Sequence, residues 1–339
     1  MDMNFNDIPL VELHLHIDGS IDAKKAYEII KRDNIKLGFE INDASELEKH
    51  LKVNDGCKDL NEYLEKFSLP GLIMQTEENI KTLVEELVVS LANEKIIYAE
   101  LRFAPQKHTS LDLDIEKATK SALEGIKNGM KRNDNIKVKL ILCLMRNGST
   151  SDNMETINVA KKYLEYGVAG IDLAGAEALY KTSEFEDLFK YAKSKGVPFT
   201  IHAGEADGPS SIRSAIGFGA TRIGHGTTLI QDEKLLEEVK EKNILLEVCP
   251  ISNVMTQAVS DVKNHPVKEY IDRNLNVCIA TDNIIVQGTT LRDNYKALID
   301  AFDITLEDII RLNINAVKSS FMDEKDKVTY VKILEAYLN

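Results

Sequence analysis

Eight short runs rich in Val, Ile and Leu recur along the chain, each followed by a stretch of different patterning, and this alternation most narrows the possible folds. The runs occupy residues 10–16, 96–103, 137–145, 169–173, 198–202, 221–225, 244–248 and 276–281. Most are near-continuously apolar, as strands of a parallel sheet covered on both faces are. The segments 21–33, 76–94, 111–131, 151–166, 183–194, 210–217, 232–241 and 266–274 read as helices, several opening on Thr, Ser or Asp. Eight βα units close a TIM barrel, so the expected fold is α/β, a (β/α)8 TIM barrel. The 339 residues exceed the usual ~250 of such a barrel, leaving room for insertions. No Gly/Ser- or Pro-rich linker divides the chain, so residues 1–339 are expected to form a single domain.

The extra length falls in two places. About eighty residues separate the first two runs, far more than one βα unit needs. Residues 35–80 are therefore expected to form a helical insertion. Within it Leu60, Tyr63, Leu64 and Phe67 repeat at i, i+3, i+4 and i+7, an apolar stripe on a helix. Such a stripe ordinarily packs into a core. Placed at the rim of a barrel, it would instead wall a pocket as a lid. The second excess is C-terminal, where helices near 306–318 and 325–338 are expected outside the barrel.

Charge narrows the partners. Lys and Arg number 42 against 55 Asp and Glu, a formal charge of −13 with no basic block. That argues against nucleic acid and against anionic membranes. Cys57, Cys143, Cys249 and Cys278 show no Cys-x-x-Cys spacing, and Cys143 and Cys278 sit inside apolar runs, as reduced core cysteines do. The N-terminus lacks the basic and apolar regions of a signal peptide, and no apolar run approaches ~20 residues. The expected location is cytoplasmic.

Chemistry begins in the first run. Val11 to Ser20 alternates apolar and polar residues, so His14 and His16 share one face of a strand, two residues apart. A half-exposed strand meeting water would show the same alternation. In a TIM barrel, however, functional groups project from the C-terminal ends of strands. Those ends carry His14, His16 and Asp18, then Glu100 and Arg102, Arg146, Asp172 to Gly175, His202 to Glu205, Gly224-His225-Gly226, Cys249-Pro250 and Thr281-Asp282-Asn283. Of seven histidines, four lie at strand ends; His50, His108 and His265 are expected at the surface. Three neutral imidazoles and one carboxylate suit a single Zn²⁺, and His14, His16, His202 and Asp282 are the expected ligands. His225 could replace one of them, or hold and polarise water beside the metal. Zinc lowers the pKa of water to about 7, supplying hydroxide at neutral pH. Gly204 permits a sharp turn that brings Glu205 towards the metal, and burial would keep Glu205 protonated as a donor to a substrate nitrogen.

The ordered set of these segments resembles the adenosine deaminase family. The resemblance runs from Glu12-Leu-His-Leu-His-Ile-Asp-Gly-Ser20 through Tyr98-Ala-Glu-Leu-Arg-Phe-Ala-Pro105, Leu142-Cys-Leu-Met-Arg146, Asp172-Leu-Ala-Gly175 and His202-Ala-Gly-Glu205. It continues through Gly224-His-Gly226, Cys249-Pro-Ile-Ser-Asn253 and Thr281-Asp282 to Asn315-Ala-Val-Lys-Ser-Ser-Phe321. It implies zinc on His14, His16, His202 and Asp282, with His16 also a substrate contact. Glu205 becomes the proton donor to purine N1, while His225 and Asp282 orient and deprotonate the water. Gly175 N–H is implied at purine N3, Asp18 at the ribose hydroxyls, and Leu60, Tyr63, Leu64 and Phe67 in the gate of the pocket. The implied reaction is hydrolytic deamination of a purine nucleoside, adenosine and 2′-deoxyadenosine, to the inosine product plus ammonia.

The chain departs from the family pattern in places. Asn283 and Ile284 stand where many members have Asp and Pro; an Asn amide donates to purine N7 without titrating. Asn147 and Ala280 stand where His and Asn are frequent. Adenine deamination on the same scaffold is the nearest alternative, though those relatives often carry Glu in place of Asp18. AMP is disfavoured by the lack of a Lys/Arg clamp at the strand ends. A catalytically silent nucleoside-binding barrel would have lost at least one catalytic group, and none is missing.

Overall fold

In the computed structural model, which describes residues 5–54 and 56–338, eight strands run parallel in chain order. They are β1 (Leu10–His16), β2 (Ile96–Phe103), β3 (Lys137–Met145), β4 (Val168–Ala174), β5 (Ile201–Ala203), β6 (Arg222–His225), β7 (Leu245–Val248) and β8 (Val277–Ile279). β1 to β4 form one ladder and β5 to β8 a second. Two isolated parallel bridges join them, Ile171 with Phe199 on one side and Leu15 with Asp282 on the other. The second seam is stitched by Asp282 N–H to His14 C=O and His16 N–H to Asp282 C=O, both 2.8 Å. The architecture is a TIM barrel.

Every residue of β1 is buried, so its polar face meets the barrel interior and not water. Glu12 shows how such a face is satisfied: its carboxylate accepts from His14 N–H at 2.9 Å and from Thr281 N–H and Oγ1 at 3.0 and 2.6 Å. Below the site, Arg102 binds Asp172 and Glu247 at 2.8 and 2.9 Å, and Arg222 reaches Glu247 at 2.7 Å and also pairs with Glu100. Buried charge is costly unless paired, and here opposite signs alternate across the barrel floor. Glu100 and Arg102 thus belong to this network, not to the pocket.

The helices begin where short polar side chains cap free N–H groups: Asp22, Thr76, Asp114, Ser149 and Asp232 each accept from the first turn that follows. The insertion after β1 contains helices Ala44–Leu51, Leu60–Leu64 and Ser68–Ile73. Its apolar stripe is not on one continuous helix, since a 3-10 turn, Glu65–Phe67, follows the five-residue helix. The C-terminal helices are Leu306–Ser319 and Glu324–Glu335, and Asn313 on the first accepts from Val11 N–H at 2.7 Å. Among the described residues no helix is long and apolar enough to cross a membrane.

Candidate active site

The C-terminal ends of β1, β5 and the segment after β8 bring four groups to one point. His14, His16, His202 and Asp282 are all buried, and one donor atom of each lies within 4.8 Å of all the others. The Nε2 atoms of His14 and His16 stand 3.1 and 3.2 Å from His202 Nε2, and 3.6 and 3.5 Å from Asp282 Oδ1. Bonds of about 2.0–2.1 Å to a tetrahedral ion give ligand–ligand edges of about 3.3–3.4 Å, so the donor set fits such an ion in number, type and spacing. Burial holds His16 and His202 below the ordinary imidazole range, which keeps their lone pairs free for a metal. Burial pushes the Asp282 carboxyl up, but the His14 hydrogen bond and the His16 and His14 charges outweigh it and hold it below the usual carboxylate range.

Three of these groups, His14, His202 and Asp282, are backed from behind. His14 Nδ1 pairs with Glu247 at 2.8 Å, and Ser252 Oγ donates to Asp282 Oδ2 at 2.5 Å. Asp172 Oδ2 stands 2.8 Å from His202 Nδ1, a close charge contact without hydrogen-bond alignment. The Arg146 guanidinium anchors His202 C=O at 2.7 Å and spans Tyr180 C=O and Thr182 Oγ1. Such partners orient ligands and raise their basicity. Two site residues, His225 (φ 64°) and Asp282 (φ 73°), hold the left-handed backbone, which costs an L residue about 1–2 kcal/mol. Asp282 is kept there by the seam bonds to β1.

Glu205 lies beyond the β5 end on a turn made at Gly204 (φ 76°), where a Cβ would come within 2.5 Å of Ile212 Cδ1. A feature not read from the sequence fixes this turn. The buried Glu177 carboxylate accepts from the N–H groups of Gly204, Glu205, Ala206 and Asp207 at 2.6, 2.9, 2.7 and 3.2 Å. Glu205 Oε1 accepts from Thr256 Oγ1 at 3.0 Å, and Oε2 stands 3.5 Å from His225 Nε2. Burial, then the Asp282 and Glu177 charges, push the Glu205 carboxyl up to about 8. It is an acid at neutral pH.

A cavity of about 600 Å³ opens over these groups. His16, Glu205, His225, Asp282, Asp18, Gly175 and Asn283 face it, and Leu60, Tyr63, Leu64 and Phe67 wall it. Phe67 packs edge-on to His16 at 6.2 Å, and Tyr63, 1% exposed, accepts at its hydroxyl from Gln287 Nε2 at 3.0 Å. Burial pushes Asp18 up to about 7. Asn283 is seated against Gly19, where a Cβ would lie 1.7 Å from its Oδ1. Asn147 also lines the cavity, at its exposed rim, and Ala280 is buried in the barrel.

Two of the three histidines expected at the surface are buried, and only His50 is exposed. His108 stacks on Phe103 with ring centroids 5.4 Å apart, and His265 is 3% exposed. Both lie in short 3-10 or connecting segments folded against the barrel, so position in a loop did not mean exposure.

The family model described as adenosine deaminase matches residues 9–336. The chain belongs to the adenosine deaminase family. A relative from Haemophilus ducreyi named adenosine deaminase is 39% identical over 322 residues, 94% of this chain and 93% of the relative. One of the same name from Clostridium botulinum (strain 657 / Type Ba4) is 37% identical over 334 residues, covering 98% and 100%. The crystal structure of an adenine deaminase from Arthrobacter aurescens superposes with TM-score 0.88 at 26% identity, covering 98% of this chain and 99% of that one. With family membership established, the chain is a hydrolytic deaminase with a His/Asp cluster that could hold a metal ion.

Proposed function

We propose that the protein converts adenosine, and 2′-deoxyadenosine, to the inosine product and ammonia with one Zn²⁺ held by His14, His16, His202 and Asp282. Nitrogen and carboxylate donors in this number and spacing suit zinc among the common divalent ions. When bound there, zinc supplies hydroxide at neutral pH. The chain's own residues do the rest. Glu205, held by Thr256 and by the Glu177-bound turn, gives its proton to purine N1 as oxygen adds to C6. Addition at C6 with protonation at N1 breaks ring aromaticity. The proton taken from the water then passes to N6, and the C6–N6 bond cleaves. Ammonia leaves as the C6 hydroxyl returns a proton to Glu205 and the carbonyl forms. Because the groups that meet the developing charge are already in place, preorganised electrostatics carries most of the rate.

On the substrate side, Gly175 N–H serves purine N3, the Asn283 amide serves N7, His16 touches the substrate beside the metal, and Asp18 binds the ribose. Residues 35–80 act as the lid, with Leu60, Tyr63, Leu64 and Phe67 excluding water from the reacting carbon. The whole chain, 1–339, works as one domain. A cytoplasmic setting fits its four buried, free cysteines.

The observation that carries this reading is a buried carboxyl group, Glu205, pushed up to about 8, beside four converging nitrogen and carboxylate donors in one apolar cavity. Ultraviolet assays of the zinc-loaded protein with adenosine, 2′-deoxyadenosine, adenine and AMP test it. Adenosine turnover is expected. Turnover of adenine alone would favour the second reading, adenine deamination, which the likeness to the Arthrobacter aurescens structure keeps in view.

A further inference from the structure

Behind His225, on the side away from the metal ligands, lies a short relay of buried groups. Asn253 stands between His225 and His265: its side chain lies 3.0 Å from His225 Nδ1 and 3.2 Å from His265 Nε2. Val267 N–H reaches His265 Nδ1 at 3.0 Å. All three side chains are buried, at 1%, 0% and 3% exposure.

Proton positions along this relay follow from its far end. A backbone N–H only donates, so His265 Nδ1 carries a lone pair. Burial keeps the His265 ring neutral, its pKa pushed down to about 3, so its single proton sits on Nε2. That N–H needs an acceptor, which makes the nearby Asn253 atom the amide oxygen. The amide is thereby oriented, and its NH₂ faces His225 Nδ1. An NH₂ only donates, so His225 Nδ1 accepts, and the proton of a neutral His225 sits on Nε2. The reversed amide would set NH₂ against His265 Nε2–H, two donors facing each other in a dry interior.

We infer that Asn253, pinned by His265, fixes His225 in its Nε2–H form and so makes it a hydrogen-bond donor to the attacking oxygen, not the base that deprotonates it. His225 Nε2 points to the catalytic side, 3.5 Å from Glu205 Oε2, and the ring packs against those of His14 and His202 at 5.0 and 5.1 Å. With its Nε2 lone pair already used, His225 cannot take a proton there. Water's O–H bond therefore breaks towards the Asp282 carboxylate, the O–C6 bond forms, and Glu205 protonates N1. Asp282 passes that proton to N6, the C6–N6 bond breaks and ammonia leaves, and the C6 hydroxyl returns a proton to Glu205 as the C6 carbonyl forms. Asn253 and His265 are positioning residues and touch no substrate. Asn253 Nδ2 also stands 3.5 Å from Glu205 Oε1, so His265→Gln, at a ring bonded to Asn253 and Val267, isolates the action through His225. This inference rests on the deaminase reading for its catalytic consequence, but the proton position is a property of the free protein.

The test is long-range ¹H–¹⁵N correlation NMR on ¹⁵N-histidine-labelled, zinc-loaded, full-length protein. His225→Gln and His265→Gln would assign the two rings. Both are expected as Nε2–H with unprotonated Nδ1. Asn253→Asp presents a carboxylate that accepts from both rings, so His225 should switch to Nδ1–H. Its kcat should then fall by about 10²–10⁴-fold with KM and zinc content little changed, the scale on which a wrong tautomer acts. Should that variant fail to fold, His265→Gln gives a milder release, with mixed His225 forms and roughly a 10-fold lower kcat. A wild-type His225 found as Nδ1–H, or an Nδ1–H variant with normal kcat, overturns the inference. A wild type that shows the expected spectrum but turns over no aminopurine overturns the functional reading instead.

Discussion

The wall of the cavity that carries His14, His202 and Asp282 hangs on strand ends, whereas the wall facing it, Leu60 to Phe67, rides on a five-residue helix and a 3-10 turn. Behind the first wall each donor has a fixed partner: Glu247 behind His14, Asp172 behind His202, Ser252 behind Asp282. Behind the second there is mainly apolar contact, with a hydrogen bond from Gln287 to the Tyr63 hydroxyl. Ligands that must converge within tenths of an ångström need a lattice that cannot drift. A wall that only excludes water and fits a ring tolerates far more. The contrast assigns chemistry to one wall and binding to the other, and four substitutions can break or sharpen it.

The largest effect is expected for His202→Ala, which should lose both the metal and turnover, the latter by roughly 10⁴-fold or more. Metal analysis beside the adenosine assay reads it; a metal-replete, active variant would remove His202 from the ligand set. Glu205→Gln should keep the metal and lose about 10²–10⁴-fold in kcat. Its pH behaviour follows from the raised pKa. The acid form exists below about pH 8, so wild-type activity should fall above that pH and the variant's residual activity should not. The same shift has a stability consequence of definite sign. A folded-state pKa above the unfolded value of 4.5 favours the fold at low pH and penalises it as pH rises towards about 8. The Gln variant should therefore gain in Tm relative to wild type across that window.

Ser252→Ala removes a partner without removing a ligand, and should weaken metal affinity by about 10–100-fold while the fold stays intact. Competition with a chelator measures it; unchanged affinity would mean the Asp282 carboxylate is held by the seam alone. On the opposite wall Phe67→Ala should raise KM by about 5–30-fold, the loss of roughly 1–2 kcal/mol of apolar contact, with kcat within about two-fold. A kcat defect as large as that of Glu205→Gln would dissolve the distinction between the walls.

The same contrast explains what the sequence disclosed. β1, β2 and β3 are long, apolar and buried, and their ends coincide with the expected ones. β5 and β8 shrink to three residues: β5 starts late, at Ile201, with His202 inside its ladder, and β8 stops at Ile279, short of Asp282. Helix Ala44–Leu51 went unread because Ser-Glu-Leu-Glu-Lys-His offers few apolar positions, and Pro250–Met255 because six residues are too few to show a helical period. The four converging donors were legible as histidines and an aspartate at strand ends. The left-handed backbone at His225 and Asp282 was not, since nothing in either side chain demands it. Glu177, Ser252, Asn253 and Thr256 escaped as well. Their roles are to hold groups brought in by distant parts of the chain, and only the fold supplies those neighbours. Ser252 and Asn253 lay in plain sight after Cys249-Pro250, with no spacing rule to say what they would hold.

Asp282 has a double duty with a consequence for the whole chain. Its main-chain N–H and C=O fasten the last strand to the first, while its carboxylate converges with two side chains of that first strand on one candidate metal site. A cation seated there works as a rivet through the hoop's joint, so stripping it should loosen the staves at 10–16 and 277–279 before those on the far side. Amide exchange with and without chelator would show whether the barrel first opens at that joint.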